Sequence, residues 1–160
     1  MADLGDRAEN GARSPMLIAI ASDHAAFGLK AELRDYLIGL GHAVVDLGPE
    51  TADRVDYPDY GYKLATTVAG GVARFGVALC GSGIGISIAV NRHPGMRCAL
   101  VTEPLVARLA REHNDANCIA LGARLIGPDM ARACLDAFLS TEFGEGRHAG
   151  RVEKLSTPCF

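Results

Sequence analysis

Short apolar runs alternate with longer segments of helical periodicity along most of this chain. Five runs have the length and character of buried strands: residues 16–21, 42–47, 75–80, 97–101 and 118–122. Helices are predicted at 26–40, 58–69, 84–91, about 102–114 (with Thr102 as N-cap), and 128–140, with a short one in the tail. This strict alternation predicts an α/β fold, a three-layer α/β/α sandwich around a five-stranded parallel, Rossmann-like sheet.

The 160 residues suit one domain, which we place at 16–160 after a polar leader (1–15) that we expect to be disordered. With a formal net charge of −3, the chain has no basic surface for nucleic acid. No run approaches the ~18 apolar residues that cross a bilayer, and the leader lacks the apolar core of a signal peptide. Five cysteines without a C-x-x-C pair indicate reduced thiols and predict a cytoplasmic protein with no metal site.

Ligands of parallel sheets gather beyond the carboxyl ends of the strands. Three of the predicted strand ends carry polar or glycine-rich segments, namely Asp23–His24, Cys80–Gly85 and Gly122–Arg124. We therefore expect these three segments to converge on one crevice.

The glycine-rich stretch LCGSGIGIS (79–87) departs from the common phosphate-binding loops. It lacks the lysine of a Walker loop, the third glycine of a dinucleotide fingerprint, and the arginine of a cysteine-dependent phosphatase. Glycines before a helix still favour an anion or oxyanion site, here with a thiol at its entrance. A tight strand–helix turn, with Cys80 as a small core residue, is the alternative.

Further titratable or cationic side chains occur at loops and element ends. Each has a structural alternative. Asp23 could serve merely as a helix cap, His113 could be a solvated residue at a helix end, and Arg147 with Arg151 could form a solvated face.

Five segments together resemble the B-type ribose-5-phosphate isomerases, within a sugar-phosphate isomerase family that also acts on allose and galactose 6-phosphates. They are SDHAAFGLK (22–30), DYPDYG (56–61), CGSGIGISIAVN (80–91), EHNDANCIALGAR (112–124) and EGRHAGRVEKL (145–155).

The resemblance, which covers about residues 16–155, implies interconversion of ribose 5-phosphate and ribulose 5-phosphate without metal or organic cofactor. It implies that Cys80 is the base, and that the Ser82 hydroxyl with the loop amides stabilises a cis-enediolate. Relatives without this cysteine use a glutamate at the position of Ser87, so this chain falls in the cysteine group. His113 would open the sugar ring and Asp23 would hold the ring hydroxyls. The implied substrate-binding residues are His24, Tyr57, Gly81, Gly83, Ile84, Gly85, Asn114, Arg124, Arg147 and Arg151.

The predicted helix that ends near His113 starts at the catalytic edge of the sheet and runs away from it. If His113 and Cys80 act on one sugar, His113 must come from a second subunit, so we expect a homodimer with shared sites and leave a tetramer open. Two other functions stay open from sequence: isomerisation of a six-carbon sugar phosphate, and non-catalytic binding of a sugar phosphate or nucleotide.

Overall fold

The computed structural model describes residues 14–160, so most of the predicted leader lies outside the described residues. The strands are β1 (Leu17–Ser22), β2 (Ala43–Asp46), β3 (Phe75–Cys80), β4 (Cys98–Leu100) and β5 (Cys118–Gly122). The α-helices are α1 (Phe27–Gly39), α2 (Tyr57–Ala69), α3 (Ile84–Val90), α4 (Pro104–Asn114), α5 (Pro128–Ser140) and α6 (Ala149–Ser156). Two short 3-10 helices, His24–Ala26 and Gly146–His148, precede α1 and α6.

All strand pairs are parallel, in the order β2-β1-β3-β5-β4. This confirms the predicted five-stranded parallel sheet and adds the strand order, which the sequence did not supply. The central strand β3 is buried at all six positions, as expected for a continuous apolar run covered on both faces.

Two apolar clusters lie on opposite faces of the sheet and establish the three-layer sandwich. One contains Leu33 of α1, Ala107 of α4 and Phe138 of α5. The other contains Leu64 of α2 and Ile86 of α3. The core therefore fixes the strands from both sides, while the loops at their carboxyl ends remain open to solvent.

Helix α4 begins one residue later than we predicted. Glu103 is its N-cap, and its carboxylate accepts hydrogen bonds from the N–H groups of Leu105 and Val106, both at 2.9 Å. Thr102 is therefore not the cap. The longer glutamate side chain reaches two of the N–H groups that the first turn leaves without an acceptor.

Helix α6 differs from the other α-helices because none of its residues is buried. Its Leu155 is 55% exposed and lines a cavity that Asn114 also lines, beside the start of β4. No helix formed by residues 14–160 has both the length and the apolar content needed to span a membrane.

Candidate active site

The carboxyl ends of β1, β3 and β5 meet, as the sequence predicted, at one edge of the sheet. The N–H of Asp23 donates to the carbonyl of Leu79 at 3.2 Å, which joins the end of β1 to β3. On the other side, Ala123 donates to Cys80 at 2.9 Å and Arg124 donates to Gly81 at 3.0 Å. Three chain segments rich in polar groups thus form one continuous surface.

Cys80 lies at the centre of this surface. It ends β3, is only 4% exposed, and its Sγ accepts a hydrogen bond from the N–H of Gly83 at 3.1 Å. The Oγ of Ser82 accepts from the N–H of Ile84 at 3.2 Å. The N–H of Gly83 is therefore directed at the sulfur, an arrangement that suits negative charge.

The glycines of this loop and of β5 are required by close packing. A Cβ at Gly85 would lie 2.6 Å from Cζ of Tyr57, so the tyrosine ring covers the backbone at the start of α3. A Cβ at Gly122 would lie 2.6 Å from the carbonyl carbon of Ser82. This close packing holds the Tyr57 ring against the start of α3 and the glycine loop against the end of β5.

Asp23 and His24 form the β1 side of the site. One carboxylate oxygen of Asp23, a residue only 7% exposed, accepts from the N–H of Ala25 at 3.0 Å, so it does cap the short 3-10 helix. The Nδ1 of His24 lies 3.1 Å from the carbonyl oxygen of Val55 and 3.3 Å from its nitrogen. Because Nδ1 is occupied by this segment, Nε2 is the ring nitrogen left to meet a ligand.

Arg124 forms the β5 side. It is exposed, and a Cβ placed on Gly81 would lie 3.2 Å from its Nη1, so the guanidinium lies over the glycine loop. No ion pair joins Arg124 to an acidic side chain among residues 14–160. A planar cation in this position can bind a phosphate or carboxylate with two parallel hydrogen bonds.

The other predicted site residues lie at the opposite edge of the sheet. His113 and Asn114 form the last turn of α4, and the helix ends at Asp115, which binds the side chain of Arg97 just before β4. The His113 ring stacks on the ring of His148, with centroids 4.4 Å apart. These residues therefore lie far from Cys80 within one chain.

The two arginines predicted in the tail join this second group. Arg147 and Arg151 flank His148, and both are exposed. Loss of contact with water, together with the positive charges of His113, Arg147 and Arg151, lowers the pKa of His148. A concentration of cationic groups with this effect is suited to binding an anion.

Two buried cations were missed by sequence reasoning because lysine and arginine are usually exposed. Lys30 is 2% exposed beneath the loop after β2. Arg111 is 4% exposed, with its guanidinium 4.8 Å from the ring centroid of Phe75, and it binds Asp115 at 2.8 Å and the Ala116 carbonyl at 2.6 Å. Arg111 thereby anchors the end of the helix that carries His113. Lys30 lies inside one of the segments that carry the family resemblance, and Arg111 lies next to another. This position was the signal from which the sequence could have identified them.

Comparisons with known proteins give one consistent result. The model of the family described as Ribose/Galactose Isomerase matches residues 18–155. Ribose-5-phosphate isomerase B of Escherichia coli is 42% identical over 139 residues, which cover 87% of this chain and 93% of that protein. D-erythrulose-4-phosphate isomerase of Pectobacterium atrosepticum is also 42% identical over 139 residues, covering 86% and 91%.

Solved structures agree with the sequence comparison. The structure of ribose-5-phosphate isomerase B from Clostridium thermocellum superposes with a TM-score of 0.87 at 48% identity, covering 88% of this chain and 95% of that one. The family match extends over nearly the whole sheet and over both groups of site residues, and the two relatives and the solved structure cover 86% to 88% of this chain. The chain therefore belongs to the ribose/galactose isomerase family.

Proposed function

We propose that this protein interconverts ribose 5-phosphate and ribulose 5-phosphate, since its Escherichia coli and Clostridium thermocellum relatives are named ribose-5-phosphate isomerase B. The observation that carries the proposal is the thiol of Cys80, held 3.1 Å from the Gly83 amide at the meeting point of three strand ends. A base that lies beside a backbone N–H donor is suited to an aldose–ketose proton transfer.

In the reaction, Cys80 as thiolate removes the proton from C2 of the open-chain aldose. The proton on O2 passes to O1, and the resulting thiol returns the first proton to C1. Negative charge develops on the enediolate oxygen between these steps. The Ser82 hydroxyl and the open N–H of Gly85, in the first turn of α3, are placed to stabilise that oxygen. The residues thus account for the proton transfer without a step that calls for a metal or organic cofactor.

The closed sugar ring must open before C2 becomes acidic. His113 is the proposed acid–base group for this step, Asp23 binds the ring hydroxyls, and Asn114 supports the substrate. Tyr57 lines the pocket from the start of α2, where it packs on Gly85. These roles place one residue group at each end of a small sugar.

The phosphate group is proposed to bind cationic side chains at the rim. His24 and Arg124 are located at the edge that contains Cys80, whereas Arg147 and Arg151 accompany His113. Guanidinium groups suit phosphate because their planar donor pairs match its oxygens.

A homodimer would bring the residue group around Cys80 in one subunit next to the residue group around His113 in the other. Beside the glycine loop, large apolar side chains are exposed: Ile84 at 50%, Ile88 at 54%, Leu100 at 37% and Leu105 at 49%. Exposed apolar side chains grouped in this way favour a protein–protein interface. We place Cys80 of one subunit opposite His113 of the partner subunit, giving two equal sites about a two-fold axis.

The five free thiols favour a cytoplasmic location.

The test is turnover of a panel of substrates: ribose 5-phosphate, allose 6-phosphate, galactose 6-phosphate and D-erythrulose 4-phosphate. The last is included because the Pectobacterium relative is as similar as the Escherichia coli one. We expect kcat/KM for ribose 5-phosphate to exceed the others by at least about tenfold, since the substrates differ by one carbon unit. A higher value for another sugar would reassign the substrate, and phosphate binding without turnover would indicate a binding module.

A further inference from the structure

Lys30 is a buried charge that the proposed mechanism does not use. It lies in α1, within the segment SDHAAFGLK, and only 2% of it is exposed. Its ammonium donates to Oδ1 of Asp46 at 2.6 Å and to the carbonyl of Pro49 at 2.9 Å. A buried ammonium is tolerated only where such partners replace water, so these two contacts determine where the side chain ends.

Asp46 is the last residue of β2, and Pro49 lies near the start of the loop that joins β2 to α2 (residues 47–56). Oδ1 of Asp46, just before this loop, also accepts from the N–H of Gly48 at 2.9 Å, and the carbonyl of Gly48 accepts from Ser22 at 3.1 Å. Although burial acts to raise the pKa of Asp46, the hydrogen bonds from Lys30 and Gly48 and the charges of Lys30 and Arg34 lower it overall. Lys30 therefore binds an ionised carboxylate and ties the start of the loop to α1, while the N–H of Ser22 ties it to the end of β1.

The far end of the same loop reaches the active site. Val55 is in contact with Nδ1 of His24 through both its carbonyl oxygen and its nitrogen. Tyr57, two residues later, covers Gly85 in the glycine loop. The loop is thus fixed at one end by Lys30 and at the other by two groups that line the proposed phosphate and sugar site.

We infer that Lys30 is a positioning residue. Through Asp46 and Pro49 it holds the loop in place, and the loop in turn orients His24 towards the substrate phosphate. The inference rests on the proposed function. It assigns Lys30 to substrate affinity, because Cys80 is held separately by β3 and the glycine loop. Arg34 also binds Asp46, at 3.4 Å, but it is exposed and no hydrogen bond joins it to Pro49, so it should contribute little.

The experiment compares Lys30→Met with the wild type. Measurements are kcat and KM for ribose 5-phosphate, the Kd of inorganic phosphate by calorimetry, and the His24 ring signals by NMR. We expect KM and the phosphate Kd to rise about tenfold, with kcat changed less than about threefold. The His24 signals should shift in the ligand-free protein, which a loss of stability alone would not produce.

Two control variants separate positioning from general destabilisation. Leu33→Ala removes a fully buried side chain of the same helix without touching the loop, and Arg34→Gln removes the exposed charge from the same carboxylate. Below their unfolding temperatures, both should keep KM and the phosphate Kd within about twofold of the wild type. If Leu33→Ala raises both constants as much as Lys30→Met does, the inference is overturned.

A second variant, Asp46→Asn, decides the question if Lys30→Met does not fold. It keeps an acceptor for Gly48, weakens the charged contact with Lys30 and removes the ion pair with Arg34, whose loss the Arg34→Gln control measures separately. We expect KM and the phosphate Kd to rise about threefold. Wild-type values in Asp46→Asn, or in a folded Lys30→Met, would overturn the inference. If the wild type binds phosphate but turns over none of the sugars, the proposed function fails, while the phosphate constants of the variants still test Lys30.

Discussion

The Cys80 thiol and the His113 imidazole lie at opposite edges of the same parallel sheet. Cys80 ends β3, whereas His113 lies in the last turn of α4, close to the start of β4. The start of β4 is level with Gly76, four residues before Cys80, which corresponds to about 13 Å along a strand. One five-carbon sugar cannot engage both groups of a single chain in this arrangement.

Complementation in mixed dimers tests the consequence. Cys80→Ala and His113→Ala chains, each inactive alone, are unfolded and refolded together in equal amounts. Random pairing makes half of the dimers mixed, and each mixed dimer has one site with both mutations and one with neither. About a quarter of the wild-type activity should therefore return if the sites work independently.

Native mass spectrometry provides the control by counting the mixed dimers. Refolding either variant with itself should restore nothing. If mixed dimers form and activity stays absent, His113 serves its own chain and the shared site is wrong.

Replacing Cys80 by alanine tests the base. We expect Cys80→Ala to lower kcat by about 10²–10⁴-fold, because the proton acceptor is lost while the strand and loop that hold it remain. The Kd of inorganic phosphate and the circular dichroism spectrum should stay near those of the wild type. Cys159→Ala, at an exposed cysteine, is the matched control and should be fully active. Turnover at the wild-type rate in Cys80→Ala would remove Cys80 from the mechanism.

Replacing the tail arginines tests the phosphate site. Arg151→Ala and Arg147→Ala should each weaken substrate binding by ~1.5–3 kcal/mol, the contribution of a hydrogen bond to a charged group. The measurements are KM for ribose 5-phosphate and inhibition by inorganic phosphate at constant ionic strength. Lys154→Ala, an exposed cation on the same helix, should change neither constant appreciably. Equal inhibition of the wild type and both arginine variants by phosphate would show that the tail does not bind it.

Thiol reactivity should follow burial and ligand binding. Burial raises the pKa of Cys134 to about 11, and burial with the adjacent Cys98 thiol raises that of Cys118, so both stay protonated near neutral pH. Iodoacetamide should therefore modify the exposed Cys159 first and leave Cys118 and Cys134 intact, as read by peptide mass spectrometry. Ribose 5-phosphate should slow modification of Cys80 and leave Cys159 unaffected. Equal labelling of Cys80 with and without the sugar would contradict its place in the site.

The stacked histidines provide a spectroscopic test of anion binding. Loss of contact with water, together with the surrounding cations, holds the pKa of His148 below its ordinary value and favours the neutral ring. A bound phosphate would offset the charges of Arg147 and Arg151 and should therefore raise this pKa. Titration of the His148 ring signal by NMR, with and without phosphate, measures the change. The rise should shrink in Arg151→Ala, and no rise at saturating phosphate would argue against a phosphate beside His148.

The parts of this molecule that follow local rules could be predicted from sequence. The bounds of β3 and β5 agree with the predicted 75–80 and 118–122, because apolar runs bounded by polar or glycine residues leave little choice of register. The convergence of Asp23, Cys80 and Arg124 followed from the rule that parallel strands present their carboxyl ends at one edge. The cap of α4 was misassigned because the usual preference for threonine gave no weight to Glu103.

Long-range relationships could not be read in the same way. The strand order, the contact of His113 with His148 and the burial of Lys30 all join positions distant in the chain or depend on packing. A lysine in a sequence predicts an exposed side chain, and only the structure shows that the ammonium of Lys30 donates hydrogen bonds to Asp46 and Pro49. Positions at strand ends were therefore easier to anticipate than the contacts that hold the side chains in place.

The contrast between β3 and α6 has a consequence for hydrogen exchange. The amide hydrogens of Phe75–Cys80 lie in a strand that is buried throughout, so they should exchange only when the whole domain opens. Those of Ala149–Ser156 belong to a helix with no buried residue and should exchange through local fraying. The Cys80 thiol is thus attached to a strand whose amide hydrogens should exchange slowly. Arg151 belongs to a helix whose amide hydrogens should exchange quickly, so local opening of this helix leaves the position of Cys80 unchanged.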